Sequence, residues 1–491
     1  MDNNIPETTS NNEKQITLFQ SLIPIILLVA FLALNVYIFK DNAIGGSNQF
    51  VLLMGGAFAA VVGFVNKVPY EKMLNKVSKN IKSTSGAILI LLLVGSLSGT
   101  WLISGIVPAM IYYGLQILHP DIFLPACVII CSIISIATGS SWTTSATVGV
   151  ALIGIGNTIG INPGMVAGAV ISGAYFGDKM SPLSDTTNLA PAMAGTDLFT
   201  HIKYMVYTTV PTYIITLILF IILGLTQNME GATDTATTLN AIKESFTISP
   251  WLFIVPIIVI ALIVKKTEPL IALLIGTLLG ALFAAIFQPE LVAKIGGGDK
   301  LDFISGYKGI MNSITVRSSV ETSNETLQGL FESKGMEGML GTIWLILCAM
   351  VFGGVMEAIG ALKAISRAML KVANGIFGLF ASTVSSCIVL NVTASDQYLA
   401  IVVPGKMFAE AYREKGLAPE NLSRTLEDSG TVTSVLVPWN TCGAYQSSVL
   451  GVSTLHYLPY AFFNILSPIM TLIFAAFRIK IRQLTQRVVS A

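Results

Sequence analysis

The residues of this chain best suited to chemistry lie in a polar stretch within apolar sequence, GDKMSPLSDTTN, residues 177–188. Two carboxylates, Asp178 and Asp185, lie on either side of Pro182. Proline lacks the backbone N–H that a helix needs and disfavours helix at the residue before it. We therefore predict two half-helices joined by unwound chain, in which carbonyl and side-chain oxygens are free to bind a cation.

A second polar segment has the same design, LEDSGTVTSVLVPWNTCG, residues 426–443. In this segment Asn440 and Thr441 stand where the first has Ser184 and Asp185. It also carries two acids near its start, Glu427 and Asp428. We predict a second broken helix here.

Two shorter segments are rich in hydroxyl groups: TGSSWTT, residues 138–144, and NVTASDQ, residues 391–397. The second also contains a carboxylate, Asp396. Inside a membrane, backbone leaves the helix only where protein or water satisfies its polar groups. Each segment is therefore predicted to form the tip of a hairpin that enters and leaves the membrane on one side.

Together these four segments offer the oxygen ligands that hard cations prefer, and Na+ is the simplest candidate. The residues predicted to bind a cation or proton share a side-chain oxygen: Asp178, Asp185, Ser181, Ser184, Thr186, Asn188, Ser140, Ser141, Thr143, Thr393, Ser395, Asp396, Asn440 and Thr441. Within this set, Na+ is assigned first to Asp178, Asp185 and Ser140. Four charged residues are expected to act in gating or as charge partners: Lys179, Glu357, Glu427 and Asp428.

Carboxylates at membrane depth usually mark ion or proton paths. Burial disfavours the charged form of a carboxylate and a nearby cation favours it, so one site can hold a proton or Na+ but disfavours both together. Each acid also has a structural interpretation. Asp178 precedes Lys179 and would form an ion pair at a helix end, and Asp185 would cap the helix that follows it.

The composition is that of an integral membrane protein, with 53% hydrophobic and 11% charged residues and a mean hydropathy of +0.74. A net charge of +1 argues against nucleic acid as a partner. The five cysteines are odd in number and lie in apolar segments, which favours buried single residues over disulfides or metal ligands. No histidine or lysine is evidently placed as the base of a serine hydrolase, so we predict no enzyme activity and no cofactor.

Long apolar runs and loop charge together predict an all-α inverted-repeat transporter fold with roughly ten transmembrane helices. Basic residues are expected on the inner side, and the lysines between residues 67 and 82 place that loop there. Counting from it puts both termini in the cytoplasm. The predicted re-entrant hairpins are residues 121–158 and 376–405. The predicted broken helices are residues 163–195 and 426–446.

The chain also resembles itself at a shift of 255 residues, so that Gly86, Gly99, Thr138 and Ser140 recur as glycine, glycine, threonine and serine. An odd number of crossings per copy would invert the second copy, as in many secondary transporters. The predicted divisions are a cytoplasmic tail (1–17), a first repeat (18–226), an extracellular linker (227–249), a second repeat (250–478) with a long outer loop (288–337), and a cytoplasmic tail (479–491).

The segments GSSWTTSATVGVALIGIG, 139–156, and GAYFGDKMSPLSDTTNLAPAMAGTDLFTHIKYM, 173–205, closely resemble the NhaC family of bacterial sodium/proton antiporters, within the ion-transporter superfamily. The resemblance covers about residues 20 to 475. It implies Na+/H+ exchange at the bacterial plasma membrane by alternating access. The wider superfamily implies a scaffold domain, an elevator-like mobile domain and, often, a homodimer.

The resemblance leaves an alternative open, because some family members exchange malate with protons for lactate with Na+. An organic-acid exchanger needs a cationic anchor near its site, for which Lys179 and Lys406 are candidates, or helix N-termini directed at the carboxylate. A passive channel is less consistent with inverted repeats and broken helices.

Overall fold

The computed structural model describes residues 16–39, 46–117, 119–226, 235–265, 267–322 and 331–484. Most of the two predicted cytoplasmic tails and part of the linker 227–249 lie outside these ranges.

The described residues are almost entirely helical. The first half of the chain contains α1 (Leu18–Phe39), α2 (Ser47–Val65), α3 (Tyr70–Ser83), α4 (Ser85–Ile103), α5 (Ile106–Ile117), α6 (Pro120–Thr138), α7 (Ser141–Thr144), a π-helical turn (Ser145–Gly149), α8 (Val150–Thr158), α9 (Pro163–Met180), α10 (Asp185–Ala194), α11 (Leu198–Thr226) and α12 (Thr235–Ser245). The second half contains a 3-10 turn (Pro250–Phe253), α13 (Ile254–Val264), α14 (Pro269–Phe287), α15 (Pro289–Ile295), α16 (Phe303–Thr315), β1 (Ser318–Ser319), β2 (Glu332–Ser333), a 3-10 turn (Glu337–Met339), α17 (Leu340–Ala358), α18 (Ala361–Lys371), α19 (Gly375–Thr393), α20 (Gln397–Glu414), α21 (Pro419–Leu426), a π-helical turn (Glu427–Thr431), a 3-10 turn (Ser434–Leu436), α22 (Thr441–Leu450), α23 (Thr454–Tyr457), a 3-10 turn (Leu458–Tyr460) and α24 (Phe462–Ala476).

Among the described residues, eight helices are long and apolar enough to cross a membrane, or up to ten if each of two bent helix pairs counts as one span. The strands β1 and β2 form a single antiparallel pair in the loop 288–337, with Ser318 opposite Ser333. The helical membrane fold predicted from composition and apolar runs is confirmed.

The internal repeat is visible in the helices themselves. Both α6 and α19 have 19 residues, and they end at Thr138 and Thr393, 255 residues apart. Both α10 and α22 have ten residues, but they begin at Asp185 and Thr441, 256 residues apart. One residue is therefore inserted between these points in the second copy, at its hairpin tip.

The two tips share one backbone design. At the first, Gly139 has a left-handed φ of 69° and Ser140 is extended. At the second, Ser395 has a left-handed φ of 59° and Asp396 is extended. The structural counterpart of Ser140 is thus Asp396, which corrects the sequence match of Ser140 with Ser395.

The second hairpin and the second broken helix differ from their predicted bounds. Helix α20 continues beyond residue 405 to Glu414, because Tyr412 is buried against Phe380, with ring centroids 5.3 Å apart. The following broken helix starts at Pro419 rather than residue 426. Its unwound part comprises the 3-10 turn Ser434–Leu436 and the residues up to Asn440. This part leads into α22.

Most of the helices fall into two bundles. The first, called here the scaffold bundle, consists of α1–α4, α13, α14 and α17 and holds most of one apolar core. The second, called the hairpin bundle, consists of α6–α11 and α19–α24 and holds most of two further cores. Both predicted hairpins and both broken helices lie in the hairpin bundle, which is the part that builds the site.

Candidate functional site

The two tips and the two breaks meet at a cavity of about 520 Å³. Four acids line it: Asp178, Asp185, Glu268 and Asp396. Around the tips and breaks, hydroxyl groups and two aromatic rings also line it: Thr138, Ser140, Ser184, Thr186, Thr441, Trp142 and Tyr398. Of the described residues that line this cavity, none is lysine or arginine.

The cavity reaches one end of the molecule. Ser83 and Thr84, at the turn between α3 and α4, line it together with Thr267 and Glu268, just before α14. These turns adjoin the lysine-rich loop and Lys265 that loop charge assigns to the inner side. On that assignment we predict that the cavity opens to the cytoplasm.

Asp178 is held by the first hairpin tip. It lies in the last turn of α9, and its Oδ2 accepts hydrogen bonds from the Ser141 backbone N–H at 3.2 Å and the Ser141 hydroxyl at 2.6 Å. Ser141 is the first residue of α7, so the tip donates two hydrogen bonds to one carboxyl oxygen. The interpretation of Asp178 as a partner of Lys179 is wrong, because Lys179 pairs with Asp428 instead.

Asp185 is exposed to the cavity at the start of α10. The residue that caps this helix is Ser184, whose hydroxyl accepts from the Thr187 N–H at 3.4 Å, so the cap interpretation of Asp185 is also wrong. The Thr187 hydroxyl donates to the Asp178 carbonyl at 3.2 Å and so ties the second half-helix to the end of α9.

Two other predicted residues of the first break, Ser181 and Asn188, make structural contacts. The Ser181 hydroxyl donates to the Ile136 carbonyl of α6 at 2.8 Å. The Asn188 amide donates to the Pro182 carbonyl at 3.0 Å. Neither side chain lines the cavity, so the structure places both outside the cation-binding position that we predicted for them.

In the second half, Asp396 caps α20, accepting from the Leu399 N–H at 3.0 Å, and only 5% of its surface is exposed. The Asn440 side chain caps α22 and donates to the Asn391 carbonyl at 3.0 Å. The Thr441 N–H donates to the Ser395 carbonyl at 3.0 Å, which fastens the second break to the second tip.

Of the remaining predicted ligands, Ser140 and Thr441 line the cavity, and three others do not: Thr143, Thr393 and Ser395. The Thr143 hydroxyl donates to the Ser140 hydroxyl at 3.1 Å.

Four helical segments begin at this cavity, capped by Ser140, Ser184, Asp396 and Asn440. A helix N-terminus carries a partial positive charge. Three aspartates at the same place supply the opposite charge, and the balance favours a small cation over an anion at this end of the site.

The four predicted charge partners occupy three different places. Lys179 and Asp428 form a fully buried ion pair behind the cavity. Glu427 accepts a hydrogen bond from the Thr186 hydroxyl at 3.1 Å, which joins the two broken helices. Glu357 pairs with Lys76 at 3.0 Å and does not line the cavity.

The lining also contains residues that were not predicted, among them Glu268 and Tyr398. The signal for Glu268 is an acid directly after a basic inner loop and before Pro269, where a helix begins. No group of three or more His, Cys, Asp or Glu side chains within the described ranges is arranged to hold a metal ion. A Na+ at Asp178 would therefore draw on hydroxyl and carbonyl oxygens as well as carboxylates.

Comparisons with known proteins agree with this architecture. Residues 173–479 match the model of the Na+/H+ antiporter family. The chain is 37% identical to the Na+/H+ antiporter NhaC of Alkalihalophilus pseudofirmus, over 94% of this chain and 96% of that one. It is 36% identical to the malate-2H+/Na+-lactate antiporter of Bacillus subtilis, over 90% and 91%, and 33% identical to the arginine/ornithine antiporter ArcD of Halobacterium salinarum, over 94% and 92%. The repeated hairpins and breaks, the acid-lined cavity and these similarities lead to one conclusion: the chain belongs to the NhaC group of the Na+/H+ antiporter family.

Proposed function

We propose that this protein exchanges Na+ for H+ across the bacterial plasma membrane by alternating access. The observation that carries the proposal is Asp178, fixed by two hydrogen bonds from the first hairpin tip at the edge of a cavity lined by four acids. Family membership gives the same activity as the starting expectation. Both termini in the cytoplasm and a homodimer remain predictions.

Competition at one carboxylate couples the two ions. As an anion, Asp178 attracts Na+, and Asp185, Ser140 and Ser184 line the same cavity and can supply further oxygens. Once protonated, Asp178 no longer offsets the cost of removing water from Na+. Each ion therefore displaces the other, and a carrier that reorients with either bound performs exchange.

The two bundles suggest how the site would reorient. The hairpin bundle carries both tips and both breaks, which are fastened to each other by the contacts described above. The scaffold bundle supplies the turns at the cavity mouth, residues 83–84 and 267–268. An elevator-like displacement of the hairpin bundle against the scaffold bundle would carry Asp178 to the outer side without breaking the site.

A larger cargo is the second candidate, because about 520 Å³ far exceeds the needs of one Na+. The named relatives include exchangers of organic acids and of amino acids. Against a free organic acid, neither Lys179 nor Lys406 lines the cavity: Lys179 is buried behind it, and Lys406 is exposed elsewhere. An organic cargo would therefore enter with cations or carry its own positive charge.

The test is Na+-dependent proton movement in proteoliposomes that contain purified protein. Asp178→Asn should lower transport efficiency by about a hundredfold, since losing a charge-assisted contact worth roughly 3 kcal/mol corresponds to that factor. Asp185→Asn should raise the KM for Na+ with a smaller effect, because this side chain is exposed.

Glu414→Gln, at the exposed end of α20, is the matched control. Full activity of Asp178→Asn would remove this residue from the mechanism. Uptake of labelled lactate or ornithine in the same vesicles tests the second candidate.

A further inference from the structure

The hairpin bundle contains a buried ion pair that the exchange mechanism above does not use. Lys179 Nζ pairs with Asp428 Oδ1, and both side chains have 0% of their surface exposed. Asp428 Oδ2 accepts further hydrogen bonds from the hydroxyls of Thr208, at 2.9 Å, and Thr471. Four elements thus meet at one carboxylate: α9, α11, α24 and the π-helical turn after α21.

Lys179 places a positive charge close to the proposed cation site. It directly follows Asp178 in α9, and it also lies within electrostatic range of Glu427. An ammonium group carries the same charge as Na+, and in a protein interior two such charges interact strongly at short range. A free Lys179 side chain would therefore compete with Na+ for the carboxylates of the site.

We propose that Asp428 sets the Na+ affinity of the site by holding Lys179 away from Asp178. Asp428 itself does not bind the ion, since it is fully buried and does not line the cavity. It acts through Lys179 and is a positioning residue. The inference rests on the proposed function, because it concerns the cation carried at Asp178.

Breaking a buried ion pair from one side leaves an unpaired charge, which destabilises any fold. The decisive experiment removes the acid alone and then both charges. Asp428→Asn leaves Lys179 without its partner, whereas Asp428→Asn with Lys179→Met leaves no charge to compete. Thr471→Val removes one hydrogen bond to Asp428 and keeps both charges, and it serves as the control.

Two readouts are taken for each variant: the KM and maximal rate of Na+-driven proton movement in proteoliposomes, and the Na+ concentration that half-maximally raises the melting temperature of the protein in detergent. For Asp428→Asn we expect both the KM and the half-maximal concentration to rise by about tenfold or more, as for a competing charge at the site. The double variant should return both values to near those of the native chain. Thr471→Val should leave them unchanged.

Each other outcome counts against the inference. If Asp428→Asn lowers the maximal rate while the KM and the half-maximal Na+ concentration stay at native values, Asp428 only stabilises the fold. If the double variant keeps the raised KM, Lys179 is not the competitor. A native chain whose proton movement and melting temperature both ignore Na+ would overturn the proposed function first and this inference with it.

Discussion

At the scale of single residues, four aspartates of similar sequence context have different surroundings. Asp178 is hydrogen-bonded by Ser141, Asp185 is exposed in the cavity, Asp396 caps a helix and Asp428 is paired with Lys179. Successive residues of a helix point about 100° apart. This spacing lets Asp178 line the cavity while Lys179, its neighbour in α9, points to Asp428.

Replacing Ser141 tests whether the hairpin tip sets the cation affinity of Asp178. Ser141→Ala removes the hydroxyl donor at 2.6 Å and keeps the backbone donor. A hydrogen bond to a charged group is worth roughly 1.5–3 kcal/mol, so the KM for Na+ should change by about tenfold or more, measured as proton movement in proteoliposomes. Its effect should be smaller than that of Asp178→Asn.

The control is Thr158→Ala in α8, whose buried hydroxyl donates only to the Gly154 carbonyl of its own helix, at 2.9 Å. It should leave the KM for Na+ unchanged. An equal shift in both variants would mean that the hydroxyl of Ser141 has no particular role.

At the scale of elements, each hairpin tip turns through one left-handed residue followed by an extended cap. At the first tip, a Cβ on Gly139 would lie 2.6 Å from the Leu183 Cβ, in the break between α9 and α10. Glycine at this position therefore meets two requirements, the left-handed φ and the close approach of tip and break.

Gly139→Ala should lower both the melting temperature and the transport rate. Left-handed backbone costs an L-residue roughly 1–2 kcal/mol, and overpacking against Leu183 adds about 1–3 kcal/mol. The matched control is Gly195→Ala, which has a similar φ of 83° but no atom within 4 Å of the added Cβ. Equal losses in the two variants would show that contact between tip and break is unimportant.

A second element-scale feature is the short segment that follows α24, residues 477–484, called here the strap. The Leu484 N–H donates to the Gly416 carbonyl at 2.7 Å, and Arg482 pairs with Glu420 at 2.8 Å. The Arg482 carbonyl also accepts from the Asn421 side chain at 2.7 Å. The strap thereby fastens the loop between α20 and α21 and the first turn of α21 at one end of the hairpin bundle.

Truncation at two points tests this strap. Ending the chain after Phe477 removes every one of these contacts, and we expect a lower melting temperature and slower transport. Ending it after Leu484 keeps them, and this variant serves as the control. Native behaviour of the shorter chain would contradict a role for the strap.

At the scale of the whole molecule, two inverted copies place their tips and breaks at one cavity that opens to one side. The assignment of that side rests on loop charge, with Lys82 beside Ser83 at the cavity mouth. All five cysteines are buried, so cysteines introduced by mutation report accessibility with little background.

Labelling with a membrane-impermeant maleimide tests the orientation. Ser83→Cys and Asp185→Cys, which line the cavity, should react faster from the cytoplasmic side, in inside-out vesicles. Lys300→Cys, exposed in the predicted outer loop, should react only from the outside, in intact cells. The opposite pattern would invert the topology.

Much of this architecture followed from sequence because its causes are local. Twenty-residue apolar runs can bury themselves only in a bilayer, lysines bias loops inward, and Pro182 breaks a helix wherever it lies. The same local signals drew attention to Asp178 and to the tips. Bounds such as the end of α20 at Glu414 were missed, because burial of Tyr412 against another helix outweighs the polar residues around it.

Sequence by itself determined the membrane class, the repeat and the oxygen-rich breaks, since each depends on residue type and spacing along one segment. Tertiary structure alone decided which charges face the cavity and which face away from it. Lys179 and Asp428 are separated by 249 positions, and their pairing depends on how α9 and the second broken helix pack. The insertion that makes Asp396 the counterpart of Ser140 also became visible only through the backbone, because a glycine-rich sequence match tolerates a slip of one residue.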